Sequence, residues 1–264
     1  MGRPIIPREH GAWAVLFGAF LAGIGVAGRV TLPTMFLLGG VTLLALANGP
    51  FTVLLRNPGG RPASDQRRTV GWFLVYWASA VACFASLFVV YRMTFLLSFG
   101  MVAAPFFVLR AFLVRKGEDR SLAGELVGTA GLTLVGPTAH AVAVGAAQPT
   151  GAVLWLLLFL FFASGVFYVR MRIRDVLAKR HGKSDVRNPA RRWCILYHLL
   201  LLLVVPAIAA SQVIPWLVLL AFAPALWRAA AGLRRQDASL NLKRLGWSEV
   251  GLTAAFVALL VFSF

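Results

Sequence analysis

Acidic residues are scarce in this chain, and charge of any kind is thin. Nine Asp and Glu stand against 26 Lys and Arg in 264 residues. Charged residues make up 13% of the sequence, about half the share in an ordinary soluble domain. So few charges cannot cover the surface of a water-soluble fold, and lipid must be the solvent for most of the chain. Cysteine is nearly missing. Cys83 and Cys194 both lie in or beside apolar runs, with no CxxC or Cys/His cluster, which excludes a disulfide framework and a structural zinc. No P-loop, GxSxG, HExxH or Asp-rich string occurs, so the common phosphate, acyl-transfer and metalloprotease sites lack their signatures. One GxGxxG string, GIGVAG at Gly23–Gly28, ends an apolar run and does not open a helix after a strand. It reads as close helix packing and not as a nucleotide site. The first residues, MGRPIIPREHGAW, are too polar and Pro-broken for a signal peptide, so the first span is expected to direct insertion.

What remains is apolar. Hydrophobic residues reach 59%, in nine segments near 11–28, 31–55, 70–91, 93–114, 122–147, 150–169, 194–211, 213–230 and 247–264. Each is close to the roughly 20 residues that a bilayer span needs. The expected fold is all-α: a polytopic membrane protein of nine transmembrane helices, one transmembrane domain over residues 1–264. The net charge of +17 would suggest nucleic acid in a soluble protein. Here it sits in short loops between spans, so the expected partners are membrane lipids and no nucleic acid.

The most informative stretch runs from Gly165 to Trp193. It leaves an apolar span without a break and then carries nine Lys and Arg, against Asp175 and Asp185 alone. That is the look of a span meeting the cytoplasm. Counted over all loops, 24 of the 26 basic residues fall on one side of a nine-span alternation, with Arg29 and Arg92 on the other. The positive-inside rule then predicts a membrane protein with its N-terminus in the cytoplasm and its C-terminus outside.

Ionisable groups at the ends of spans are the candidate site, because they are expensive in hydrocarbon. Glu9 and His10 open span one, Glu125 lies a turn into span five, and Glu249 starts span nine. Tyr168, Arg170 and Arg174 end span six, and Tyr197 and His198 lie just inside span seven. All are expected at the same face, as a ligand-binding cluster ringed by arginine. Arg170 and Arg174 share a helix face, with Arg172 nearly opposite. An ordinary explanation stands beside each: the helix dipole stabilises a carboxylate in a first turn, and the basic loops answer to topology and anionic lipid. No spacing supports a metal site. His140 is expected to be a hydrogen-bonded packing residue. Glu125 is expected to pair with Arg170, Arg174 or His198, and loss of one member of a buried pair costs about 3–5 kcal/mol.

Several blocks together resemble the YwiC-like family of bacterial membrane proteins: PREHGAWA at 7–14, the Glu125 segment, SGVFYVRMRIR at 164–174, the YH pair at 197–198 and LKRLGWSEVG at 242–251. The resemblance implies a membrane protein and no particular reaction. The span count and loop positions are also similar to the UbiA superfamily of intramembrane prenyltransferases. That likeness implies a UbiA-like helical bundle, with active-site loops after helices two and six and magnesium held by Asp-rich motifs. The loops here read RNPGGRPASDQRR, with Asp65, and YVRMRIRDVLAKR, with Asp175, too few carboxylates for two magnesium ions.

The function expected from these features is binding or transport of an anionic amphiphile, an isoprenoid phosphate or a phospholipid, at a cytoplasm-facing cavity. No cofactor is expected. The alternatives are a divergent UbiA-type prenyltransferase, in which Asp65, Asp175, Glu9, Glu125 and Glu249 would hold magnesium, and a structural or assembly role.

Overall fold

The apolar segments fold as helices because a backbone in hydrocarbon must satisfy its own hydrogen bonds. The computed structural model describes residues 10–56, 63–180, 188–234 and 241–264. In chain order the helices are α1 (His10–Ala27), α2 (Leu32–Arg56), α3 (Ala63–Val89), α4 (Leu96–Arg115), α5 (Leu122–Thr133), α6 (Val135–Val144), α7 (Thr150–Arg180), α8 (Pro189–Ala210), α9 (Val218–Arg234) and α10 (Leu242–Ser263). α5 and α6 form one rod interrupted at Leu134, so the described residues give nine rods, as the nine apolar segments require. The chain is an all-α polytopic membrane bundle. Seven of the rods are long and apolar enough to cross a bilayer, α1 is a shorter apolar helix, and α9 has 17 residues.

The differences from the sequence expectation have local causes. Span five is broken because Pro137 offers no N–H to Thr133 and its ring crowds that carbonyl. Span six continues as helix through its basic stretch to Arg180, a rod of 31 residues and about 46 Å. Charge alone does not end a helix, and Arg, Lys, Leu and Ala are good helix formers. α8 starts early because Asn188 caps it, accepting from the Ala190 N–H at 3.1 Å, with Pro189 in the first turn. α10 likewise starts at the Asn241 cap, whose side chain accepts from the Arg244 N–H at 3.0 Å.

Small residues set the packing. α1 lies between α6 and α10. A Cβ on Gly23 would collide with the Gly136 carbonyl of α6, and one on Gly25 would collide with Val261 of α10. Both neighbours therefore approach α1 closely where no hydrophobic effect could draw them together, which is the packing role expected for GIGVAG.

Three buried clusters hold the bundle. The largest joins α1, α7, α8, α9 and α10. At its centre Phe161 stacks on Phe256 with ring centroids 3.8 Å apart, and Phe222 meets both edge-on. A second joins Phe20, Leu37, Leu87, Leu96, Ala139 and Val142. The third, around Phe167, Tyr168, Met171 and Cys194, closes the end of the bundle where the basic residues gather. Outward faces are apolar, as at Trp77, Phe107, Leu203 and Phe262, which suits lipid contact.

Candidate functional site

α9 ends and α10 begins at the basic end of the bundle, and these two helices pack against each other. Arg228 sits six residues before the last residue of α9, and Glu249 seven residues after the first of α10. Both are therefore about 9–10 Å in from their helix ends, and they meet. Arg228 Nη1 donates to Glu249 Oε2 in an ion pair. Nη2 donates to Ser164 Oγ on α7 at 3.0 Å, and Ser164 donates in turn to the Phe161 carbonyl at 2.6 Å. The guanidinium lies over the Tyr168 ring, 4.6 Å from its centroid, in the cation–π arrangement. Arg228 is only 9% exposed.

Two glycines make room for this contact. A Cβ on Gly165 would lie 3.3 Å from Glu249 Oε2 and 3.9 Å from Arg228 Nη1, so the pair rests against the α7 backbone. A Cβ on Gly232 would run into the Tyr168 ring, so Tyr168 packs directly against the α9 backbone. The two helices each present a glycine to the other's functional side chain.

His198, nine residues into α8, is buried and feels the charge of Arg228. Its Nδ1 donates to the Cys194 carbonyl at 2.7 Å, which leaves Nε2 as the acceptor of the neutral ring. Arg228 Nε, Glu249 Oε1 and His198 Nε2 are all buried and make no hydrogen bond. Three unsatisfied polar atoms in one layer are unusual, because each carries its full desolvation cost. Tyr197 fastens α8 to α7. Its hydroxyl donates to the Leu160 carbonyl at 2.9 Å, and its ring stacks on Phe167 at 4.4 Å.

A second polar group lies at the rim. Arg170 Nη1 is 2.9 Å from Glu125 Oε2 and donates to the Arg120 carbonyl at 2.9 Å. Glu125 thus has one of its three expected partners. The pair is open, with side chains 21% and 36% exposed, so it is a rim contact and not the buried pair expected. Arg56 and Asp119 pair at 2.5 Å, and Asn188 Nδ2 donates to Asp175 Oδ1 at 2.8 Å. Arg174 is exposed while Arg172 is buried at 4%. The helical spacing separated the two faces correctly, and it is the Arg172 face that turns inward.

The structure therefore distributes the expected cluster over two places. Glu249, Tyr168 and His198 gather in the buried layer, and Glu125 and Arg170 at the rim. Glu9 lies outside the described residues, and of His10 only its place at the start of α1 is described. Arg228 and Ser164 were not among the expected residues. His140 is buried as a packing residue, but its Nδ1 makes no hydrogen bond, contrary to expectation. Among the described residues no three His, Cys, Asp or Glu side chains come together as a metal-binding group. Of the carboxylates that the prenyltransferase alternative would need, Glu9 lies outside the described residues, and Asp65, Asp175, Glu125 and Glu249 form no such group among the described residues.

These features define a class: a multi-pass helical membrane protein with a buried Arg–Glu pair at its basic end. Residues 6–140 match the family model described as YwiC-like protein. The chain belongs to the YwiC-like family. Over 227 residues it is 27% identical to the "Uncharacterized protein YwiC" of Bacillus subtilis (strain 168), covering 86% of this chain and 85% of that protein. Over 260 residues it is 26% identical to an "Uncharacterized protein" of Haemophilus influenzae (strain ATCC 51907 / DSM 11121 / KW20 / Rd), covering 97% of both chains. No solved structure matches.

Proposed function

We propose that the protein binds or carries an anionic amphiphile, an isoprenoid phosphate or a phospholipid, at the basic end of its bundle. In this reading it lies in the bacterial cytoplasmic membrane with the N-terminus and the basic end inside and the C-terminus outside. The charge asymmetry supports that orientation, since 24 of 26 basic residues belong to one side. The observation that carries the function is Arg228. A guanidinium held among α7, α9 and α10 inside an apolar bundle is expensive, and such groups mark ligand or ion pathways. The rim arginines, Arg170 among them, stand where a headgroup would approach, and arginine recognises phosphate bidentately.

Native mass spectrometry of the detergent-purified protein tests the reading. Anionic lipid or isoprenoid phosphate should be retained in preference to zwitterionic lipid, and Arg170→Ala with Arg174→Ala should weaken retention. Equal retention of zwitterionic and anionic lipid would remove the support for it.

A further inference from the structure

We propose, resting on the anionic-amphiphile reading above, that Arg228 is the group that recognises the headgroup phosphate and that Glu249 is its latch. The incoming anion takes the place of the Glu249 carboxylate, and Glu249 takes up one proton as it is displaced.

The geometry of the pair leads here. Glu249 and Ser164 occupy the Nη1 and Nη2 groups of the guanidinium, while Nε has no partner. Displacing Glu249 would free Nη1, and the guanidinium could then donate a charge-assisted hydrogen bond to a phosphate oxygen in its place. His198 Nε2 is a lone acceptor on a side chain more than nine-tenths buried, in the electrostatic range of Arg228, and is suited to accept from a headgroup hydroxyl. Access is one-sided. The Glu249 side chain is 22% exposed and that of Arg228 is 8%, so a ligand meets the latch first.

Charge balance then couples the ligand to a proton. With Glu249 ionised, the layer holds one positive and one negative charge. A second anion would leave it with net negative charge in a low dielectric, which is costly. If a proton from water neutralises Glu249 as a monoanion arrives, the layer stays neutral; release of the anion returns the proton. Among the described residues the titratable groups around Glu249 are few. α9 presents Arg228, α7 presents Tyr168, and α8 brings Cys194 and His198 into range of Arg228. α1, which also packs on α10, has no titratable side chain from Gly11 to Ala27. Lys243 and Arg244 of α10 itself are exposed near its start.

The experiment titrates the detergent-purified protein with dihexanoyl phosphatidylglycerol, dihexanoyl phosphatidylcholine and dimethyl phosphate at several pH values. The phosphates of all three keep their charge over the range. Wild-type protein should bind phosphatidylglycerol about tenfold more weakly for each unit rise in pH, with about one proton taken up per lipid. E249Q should bind at least as tightly with no pH slope. R228Q/E249Q, which strands no charge and whose folding is checked by thermal melting, should not bind. If wild type binds but E249Q keeps the slope, or the double variant binds equally, the latch is wrong and the amphiphile reading stands. If wild type binds no phosphatidylglycerol at any pH, both fail. If dimethyl phosphate binds as well as the lipid with the same dependence, the latch stands and the amphiphile reading falls.

Discussion

Arg228 and Glu249, 21 residues apart in sequence, form an ion pair that ties the end of α9 to the start of α10. Its partners on α7, Ser164 and Tyr168, bring a third helix into the same contact. Removing one member of a buried pair strands the other charge. Glu249→Ala should therefore cost about 3–5 kcal/mol, and the double change R228M/E249Q should cost less than either single loss. Reversible unfolding in micelles measures both; a double variant less stable than E249A would show that the pair itself is not the issue.

The rim pair behaves differently. Glu125 and Arg170 are open to their surroundings, with Glu125 36% exposed, so their mutual contribution should be that of a surface pair, about 0.2–1 kcal/mol. A double-mutant cycle on E125A and R170A reads this directly. A coupling above about 3 kcal/mol would place the pair among buried ones.

Glycine substitutions should separate contact from conformational freedom. Gly23 touches the α6 backbone, while Gly251 has nothing within 4 Å of an added Cβ. Gly23→Ala should destabilise by about 1–3 kcal/mol through overpacking. Gly251→Ala should be neutral or stabilise by about 0.5–1 kcal/mol, because an exposed helical glycine loses entropy. Thermal melts in detergent compare the two, and equal effects would contradict the α1–α6 contact.

Much of this arrangement was legible in the sequence and some was not. The nine rods follow from apolar length, and the Glu125–Arg170 contact follows from a short connection that makes the α7 rod antiparallel to its neighbour. Arg228 was hidden because a basic residue near the end of an apolar run counts as loop by the same rule that gives orientation. Its burial depends on Glu249, 21 residues further along, and on Ser164, 64 residues back. No local pattern encodes those separations. The one local hint is that Arg228 stands inside an unbroken apolar run, FAPALWRAAAGL. Similarly, spacing separates Arg172 from Arg170 and Arg174, but only the packing of α7 decides which face turns inward.

Orientation has its own check. In a background with Cys83 and Cys194 replaced, a cysteine at Arg92 should react with a membrane-impermeant maleimide in intact cells. One at Lys116 should react only after permeabilisation. Both reacting in intact cells would contradict the alternation that places the basic end inside.

The most direct measurement is a cryo-electron-microscopy map of the protein in nanodiscs containing phosphatidylglycerol. The account predicts headgroup density at the basic end, within hydrogen-bonding reach of Arg228 or Arg170. Where it lies at Arg228, Glu249 should have turned away. Lipid density spread evenly around the bundle, with no headgroup at either arginine and the Arg228–Glu249 pair closed throughout, would contradict it.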